Sequence, residues 1–520
     1  MSRINTNVAS LIAQRVLSQN NLSLNKSLER LSTGLRVNRG KDDPAGLIAS
    51  SKLGAEKLSL TTAIGNAERA DQVVNIAEGG LSEVSGLLNE LQSLVTQTAN
   101  DAGLSVEEKE ANQLQIDSIV QTIDRVAAAT SFQGLKLLNG NLDFTTDTVN
   151  ANVSSFNVNG AKLNFNGTRN VEVVVTGSAQ VGGFFLSFGG ANLNLGGAGA
   201  SDGANSSFVV EISGSKGTRE LSFASGTALA DIVTAINSFT DVTGVKAAAS
   251  GTGTRLVSDG FGKAEFVSAR VVDNGTINAA QANAGIYGLQ TADTAAADAA
   301  AQTLFSAASN KQTDKGQDVS ATINGIAATT SGTKARINTD FLDVEIDLKT
   351  GTGSGSEAQR LGSLTAFRIT GGGADFLLAG RADIAGKVSL GISNVTTRAL
   401  GGFLDSAGAQ FFLSDLGAGS SLNVVDGDIS KAQSVVENSI REVGSLRGRL
   451  GAFQKNTIGA TIRSLNVAVE NTSAAESVIR DADFAVETAG LTRAQILVSS
   501  ASQILALANN QPQNALQLLG

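Results

Sequence analysis

Two pairs of aspartates have a spacing that could support chemistry. Asp42 is adjacent to Asp43, and one residue separates Asp481 from Asp483. Paired carboxylates can ligate a divalent cation or act as a general acid and base. The first pair precedes a proline, however, and the second follows Arg480 in a helical stretch, so helix caps and ion pairs between helices explain them better. We therefore predict no catalytic residue and no metal site at either pair.

The composition excludes most other catalytic chemistry. The chain of 520 residues contains no His and no Cys. Ser-His-Asp and Cys-His centres, and ordinary zinc or copper sites, are therefore impossible. A phosphate-binding loop needs Ser or Thr after Gly-Lys, but the Gly-Lys pairs here are followed by Asp42, Ala264 and Val388. We expect no enzyme activity, no cofactor and no metal.

The charge balance and apolar content restrict the partners. The chain has 39 basic and 48 acidic residues and a net charge of −9, which disfavours binding to nucleic acid or to anionic membranes. No run of about 18 apolar residues is present to span a membrane. The polar start also lacks the apolar core of a cleaved signal peptide. We expect a cytosolic protein, or export by a route without a cleaved signal.

Composition divides the chain into three regions. Residues 1–140 and 426–520 carry apolar residues at helical spacing, whereas 141–425 is rich in Gly, Ala, Asn, Thr and Ser with short alternating runs. This arrangement predicts a multidomain protein in which both termini form an α-helical coiled coil or bundle. The middle region is then an insertion of β-rich, α+β domains.

Apolar residues recur every seven positions in both helical regions. The central rows are Leu53, Leu60, Ala67, Val74, Leu81, Leu88 and Val95, and Ile429, Val436, Val443 and Leu450. The rows near the chain ends are Leu17, Leu24 and Leu31 beside Leu28 and Leu35, and Phe484, Leu491, Val498 and Leu505. A seven-residue repeat drifts only about 20° around a straight helix, so each row predicts a narrow seam that faces a partner helix.

The rows at the chain ends differ in what can bury them. The rows in 44–130 and 426–470 fit an ordinary intramolecular core. Residues 1–35 and 481–520 each form one amphipathic helix, and one helix cannot bury its apolar stripe alone. We expect these ends to pair with each other, with neighbouring copies or with a chaperone.

Local signals predict where elements begin and end. The predicted helix signals are a left-handed cap at Gly34, an N-cap at Asp43 before Pro44, a capping box of Ser105 and Glu108, and an N-cap at Asp428 for a helix running toward 470. In the middle, 208–212 and 218–223 predict a hairpin, 228–236 a short helix and 341–348 a strand. Asn139-Gly140 predicts a two-residue hairpin turn.

These ends resemble bacterial flagellin. The N-terminal motifs are Ile4-Asn-Thr-Asn7, Leu31-Ser-Thr-Gly-Leu-Arg-Val-Asn38 and Lys41-Asp-Asp-Pro-Ala-Gly46, with 123–125, 132–134 and 137–140. The C-terminal motifs are Arg449-Leu-Gly-Ala-Phe-Gln454 and Ile479-Arg-Asp-Ala-Asp-Phe-Ala485, with 495–497, 508–513 and 518–519. The stretch 223–237 is also similar to a module found in flagellins and hook-associated proteins, which we expect at about 205–272.

The resemblance implies a division of labour along the chain. Residues 1–43 and 473–520 would be polymerisation helices, disordered in the free monomer and forming a tube on assembly. Residues 44–140 and 426–472 would form the two halves of a helical core domain, and 141–425 would be surface-exposed. The implied polymerisation interface consists of Ile4, Val8, Leu11, Leu17, Leu24, Leu28, Leu31, Leu35, Phe484, Leu491, Val498 and Leu505.

The implied function is that of a structural subunit of the extracellular flagellar filament, used for swimming. The expected partners are sister copies in a helical homopolymer, an export chaperone, the filament cap and the hook-junction proteins. Two alternatives remain open at this point. A hook–filament junction protein has similar ends, and a secreted surface adhesin would bind its ligand through the middle region.

Overall fold

The computed structural model has helical ends and a β-rich middle, which confirms the predicted fold class. It describes residues 6–100, 103–164, 167–195, 207–277, 281–289, 297–351, 358–404 and 409–517. The α-helices are α1 (Val8–Thr33), α2 (Pro44–Thr98), α3 (Val106–Ala129), α4 (Leu229–Asn237), α5 (Thr240–Thr243), α6 (Ile429–Ala452), α7 (Gly459–Arg480) and α8 (Phe484–Gln517). A π-helical segment, Phe453–Ile458, lies between α6 and α7.

The chain forms two compact units. Unit 1 contains Met1–Glu78, Phe376–Val388 and Arg447–Gly520, and unit 2 contains Gly79–Asp375 and Ser389–Leu446. The segment 376–388 comes from the middle of the sequence but belongs to the helical unit 1. No helix break occurs at 472/473, where we placed a domain boundary, because α7 continues to Arg480. The domain boundaries therefore stay predictions.

The helix ends follow the predicted signals. Gly34 has a φ of 71° and donates its N–H to the carbonyl of Arg30, which closes α1. The N–H of Gly46 donates to Asp43 Oδ1 at 2.8 Å, at the start of α2. Ser105 and Glu108 form both hydrogen bonds of the capping box before α3. These local predictions are confirmed.

The helical part of unit 2 buries the predicted rows. Leu81, Leu88 and Val95 of α2 are 0% exposed. Val436 and Val443 of α6 are 0% and 1% exposed. Further helical and loop segments attach to this core through polar side chains. Gln113 of α3, for example, donates to the carbonyl of Leu416 at 2.8 Å and accepts from the N–H of Val424 at 2.8 Å.

The strands occupy the middle of the chain. They are β1 (Ser131–Phe132), β2 (Leu135–Lys136), β3 (Phe144–Asp147), β4 (Val153–Ala161), β5 (Arg169–Gly177), β6 (Gly183–Ser187), β7 (Ser207–Gly214), β8 (Thr218–Ala224), β9 (Val245–Ser250), β10 (Gly253–Ser258), β11 (Phe266–Asp273) and β12 (Gly285–Leu289). They continue with β13 (Ala297–Leu304), β14 (Gln312–Lys315), β15 (Ser320–Ile323), β16 (Ile326–Ala327), β17 (Thr329–Ser331), β18 (Lys334–Asn338), β19 (Leu342–Leu348), β20 (Gly362–Gly372), β21 (Ala374–Leu377), β22 (Lys387–Leu390), β23 (Phe403–Leu404) and β24 (Gln410–Phe411).

The strands build two modules, one inserted into the other. The first has sheets ordered β16-β15-β5-β20-β3 and β17-β18-β19-β4, around a core that includes Val173, Val344 and Phe367. The second, between β5 and β15 in the chain, has sheets ordered β13-β12-β6-β10-β9 and β14-β11-β7-β8. In its core the ring centroids of Phe208 and Phe305 lie 4.8 Å apart. The predicted hairpin is β7-β8, and the predicted short helix is α4.

The predicted hairpin turn at Asn139-Gly140 is wrong. The tight hairpin nearby joins β1 to β2 through Gln133 and Gly134, which have φ values of 49° and 86°. Positive φ at both central residues is what a type I′ turn, one of the two favoured two-residue hairpin connections, requires. At the predicted position the Asn139 side chain instead accepts the N–H of Asn141, so the chain makes a local side-chain turn without flanking paired strands.

Candidate assembly interface

The two terminal helices of unit 1 pair with each other in antiparallel fashion. Near one end, Asn7 Nδ2 donates to the carbonyl of Ala508 at 2.7 Å. Further along, Asn20 Nδ2 donates to the carbonyl of Leu497 at 3.3 Å. Residue numbers therefore rise along α1 as they fall along α8. Of the three ways of burying the terminal stripes that the sequence left open, pairing of the two ends is present within the chain.

Small residues are the most buried part of this seam. Ala13 of α1 is 6% exposed, and Ala494, Ala501 and Ala508 of α8 are 5%, 4% and 7% exposed. The α8 alanines recur every seven residues, which keeps them on one side of the helix. Alanine at these positions lets the two helix backbones approach closely.

The predicted interface residues fall into three groups. The half-buried residues are Leu17, Leu24, Leu31, Leu35, Leu491, Val498 and Leu505. Those of α8 lie three or four residues from its buried alanines, and Leu17 lies four residues from Ala13. Exposed residues are Val8, Leu11, Leu28 and Phe484. Ile4 lies outside the described residues. Leu24 and Leu31 follow Leu17 at seven-residue spacing, so the half-buried residues within α1 and α8 share a side with the intrachain seam, whereas Leu35 lies beyond the end of α1. The assignment of this group to a contact between copies stays a prediction.

A second apolar face, which the seven-residue rows did not identify, remains exposed. On α1 it includes Ile12, Val16 and Leu22, which are 49%, 40% and 67% exposed. On α8 its members are Val486, Ile496, Leu497, Ile504 and Leu507. At about 3.6 residues per turn, Ile504 and Leu507 lie well away from Leu505 around the helix. The sequence signal for this face was partial: Ile12 and Val16 are four residues apart, and Leu497, Ile504 and Leu507 follow one another at spacings of seven and three.

The exposed faces of α1 and α8 meet at a shallow groove. It has a volume of about 220 Å³ and is lined mostly by apolar atoms of both helices. Ile12 and Val16 line it from α1, and Leu497, Ala501 and Ile504 line it from α8. An open apolar groove beside an exposed apolar face is typical of a surface that packs against another helix.

The two loops next to the helix pair bind each other through the backbone. The loop after α1 donates the N–H of Arg36 to the carbonyl of Arg480 at 2.7 Å. The loop before α8 donates the N–H of Ala482 back to the carbonyl of Gly34 at 2.9 Å. Neither loop can slide along the other without breaking these bonds, so they fix the register between α1 and α8.

The aspartate pairs serve this arrangement as caps. Asp483 Oδ1 accepts the N–H of Ala485 at 2.9 Å, at the start of α8, and Ser477 Oγ donates to Asp481 Oδ2 at 2.6 Å. Asp42 accepts the N–H of Arg39 at 3.1 Å. The predicted helix caps are therefore present at Asp43 and Asp483, while Asp42 and Asp481 make local hydrogen bonds. Within the described parts of the chain, no three acidic side chains gather where they could hold a metal ion.

Glu476, a carboxylate of unit 1, has a shifted pKa. Glu476 Oε2 on α7 accepts a hydrogen bond from Lys57 Nζ on α2 at 2.8 Å. Arg480 Nη1 lies 3.6 Å from Glu476 Oε1. The hydrogen bond from Lys57 holds the pKa of Glu476 below its usual value, against the opposing effect of burial, with help from the charges of Lys57 and Arg480. This ion pair ties α7 to α2.

Both ends of the chain match family models. The model described as bacterial flagellin N-terminal helical region matches residues 4–143, and the bacterial flagellin C-terminal helical region matches 433–519. The flagellin hook IN motif matches 207–260, which lies inside the second β module. Together these matches cover more than half of the chain.

Relatives that align over their full length are named flagellins. Flagellin B of Helicobacter pylori is 27% identical, flagellin D of Vibrio cholerae is 26% identical, and a flagellin of Salmonella muenchen is 27% identical. Each alignment covers 99% of this chain and 99% of the relative. The paired helical ends and these matches place the chain among the structural proteins of the bacterial flagellum.

The chain belongs to the bacterial flagellin family, and it is a structural subunit of the flagellar filament. Its similarity to flagellins extends over the whole length, so this interpretation is better supported than a junction protein or an adhesin. None of the helices in the described ranges is both long enough and apolar enough to cross a membrane.

Proposed function

We propose that α1 and α8 are the polymerisation elements of the subunit, and that the face they leave exposed packs against sister copies in the filament shaft. The observation that supports this is the distribution of apolar surface on the helix pair. One stripe of each helix packs in the intrachain seam, whereas Ile12, Leu22, Ile504 and Leu507 remain between 49% and 67% exposed. A stripe of this kind is stable in water only when another surface covers it.

The energy available from covering this face is large enough to drive assembly. Burying one Leu or Ile side chain contributes about 1.5–3 kcal/mol. The eight side chains named on α1 and α8 are 40–67% exposed, so burying the rest of them would contribute on the order of 10 kcal/mol before the entropy of association is subtracted. Contact between unlike faces of successive copies gives an open helical filament when the rotation from one copy to the next does not close into a ring.

The rest of the chain supports the filament, and other flagellar proteins act on the subunit before and after assembly. Residues 44–140 and 426–472 supply a helical core, and the nested β modules, whose strands run from β3 to β20, face solvent. The subunit acts mechanically rather than as an enzyme. It leaves the cell through the flagellar export apparatus, a chaperone covers the exposed face of α8 before export, and the filament cap and junction proteins contact the ends of the polymer.

Seeded elongation of paired variants tests the proposal. The double variant Ile504→Ser/Leu507→Ser removes two side chains from the exposed face, whereas the control Ala506→Ser alters an exposed residue between them. We expect the double variant to keep the helical content of the unmodified chain by circular dichroism but to stop elongating, while the control elongates normally. Elongation of the double variant at the unmodified rate would refute the proposal.

A further inference from the structure

A short π-helical segment interrupts an otherwise continuous helix in unit 1. The segment Phe453–Ile458 follows α6 directly and leads into α7 without a turn or a loop. The residues that flank it, Ala452 and Gly459, both have right-handed helical dihedral angles. Segments with π-type hydrogen bonds are rare and equal the insertion of one residue into an α-helix, so their position calls for a physical cause.

The spacing of the buried residues changes by one position across this segment. Before it, Val443 and Leu450 are seven residues apart, and after it Ile458 and Leu465 are again seven apart. All four are at most 9% exposed. Leu450 and Ile458, however, are eight residues apart. Eight residues of α-helix would turn Ile458 about 80° away from Leu450, whereas a π turn absorbs the extra residue and keeps both on one side.

Side chains from two other parts of unit 1 contact the segment. The ring of Phe376, from the segment 376–388, lies with its centroid 5.9 Å from that of Phe453. Gln454 Nε2 donates to Asn75 Oδ1 of α2 at 2.9 Å. The segment 376–388 is itself attached to α2, because Ser59 Oγ donates to the carbonyl of Gly380.

We propose that the π segment is a register element, which absorbs one surplus residue so that the buried row continues on the same side of the helix, and that Phe376 holds it in the π form. The surplus residue lies in 453–458 because that is where the apolar row skips a position. The helix on either side keeps its seven-residue repeat. This inference concerns the fold of the subunit and does not depend on the proposed polymerisation face.

Two single-residue deletions distinguish this role from that of an ordinary helix defect. Asn456 in the π segment and Asn466 in α7 are both exposed asparagines. Deleting Asn456 sets Leu450 and Ile458 seven positions apart, so we expect an uninterrupted α-helix with the buried row intact and a Tm within a few degrees of the unmodified chain. Deleting Asn466 rotates the rest of α7 by about 100° relative to the preceding row. We expect a clear drop in Tm for that variant.

Amide hydrogen exchange tests the part played by Phe376. We expect Phe376→Ala to accelerate exchange at 453–458 at least tenfold more than in the middle of α7, and Phe376→Leu to restore much of the protection. Two outcomes would overturn the proposal. One is a Tm loss from deletion of Asn456 as large as that from deletion of Asn466, and the other is unchanged exchange at 453–458 in Phe376→Ala. Neither measurement requires filaments, so failure here is distinct from failure of the proposed function.

Discussion

Arg30 Nη1 lies 2.7 Å from Glu487 Oε1, and this ion pair joins the last turn of α1 to the first turn of α8. The side chains are only 23% and 13% exposed. The cation lies at a helix C-terminus and the anion at a helix N-terminus, so each charge also interacts favourably with the dipole of its own helix. The pair therefore reinforces the register that the backbone bonds between the adjoining loops establish.

Glu487→Gln is expected to loosen the terminal helix pair. It leaves Arg30 partly buried without its counter-charge, so we expect unfolding of the helix pair to become easier by about 1–2 kcal/mol. The control is Glu29→Gln, which removes the more exposed pair of Glu29 with Arg39, 2.9 Å apart and 34% and 63% exposed. Chemical denaturation followed by circular dichroism measures both, and an equal effect of the two substitutions would contradict the expectation.

The alanine seam makes a steric prediction. Ala494→Leu places three extra carbon atoms at a buried seam position that does not line the groove, and overpacking of this kind costs about 1–3 kcal/mol. Ala506→Leu makes the same change at an exposed position of the same helix, so we expect little loss of stability from it. Thermal unfolding separates the two variants, and a seam that accepts leucine at 494 without a fall in Tm is not closely packed.

Adjacent glycines of α2 should respond in opposite directions to alanine. A Cβ at Gly80 would lie 2.5 Å from Thr130 Oγ1 and 2.8 Å from Leu138 Cδ1, whereas a Cβ at Gly79 meets no atom within 4 Å. We expect Gly80→Ala to destabilise by about 1–3 kcal/mol through overpacking. Gly79→Ala should stabilise by about 0.5–1 kcal/mol, because alanine loses less backbone entropy in a helix. The test is the difference in Tm, and the same sign for both would contradict it.

The ion pair of Glu476 with Lys57 predicts a pH dependence. The folded-state pKa of Glu476 is lowered from 4.5, so its contribution to stability is present above that value and is lost as the pH falls through the lower folded-state pKa. Glu476→Gln should therefore reduce stability at neutral pH. The difference in the free energy of unfolding between this variant and the unmodified chain should shrink once the pH falls below about 4.5. A difference that stays constant from pH 7 to pH 3 would show that the charge of Glu476 makes no contribution.

The sequence predicted elements whose signals are local. The rows through Leu81 and Leu88 are fully buried because a seven-residue repeat of large apolar residues specifies a helix seam almost by itself. The caps at Gly34 and Asp43 are correct because each depends on one residue and its immediate neighbours.

Other features depend on tertiary contacts and could not be predicted in the same way. Gln133 adopts a left-handed conformation in a hairpin whose paired strands are two residues long, too short for an alternating pattern. The seam alanines give a weak hydrophobic signal, although Ala494 and Ala501 are among the most buried residues of α8. The spacing of eight residues between Leu450 and Ile458 was visible in the sequence. Only the structure shows that both residues are buried, and hence that they belong to one apolar row.

Seeded elongation followed by electron microscopy tests most directly whether α1 and α8 join the copies. The experiment compares the full chain with a chain that lacks residues 1–35 and 486–520. The full chain should extend seeds into long homopolymers. The truncated chain, without α1 and nearly all of α8, should remain a soluble monomer at the same concentration. Filaments grown from the truncated chain would contradict the central claim, because the surfaces that join the copies would then lie elsewhere.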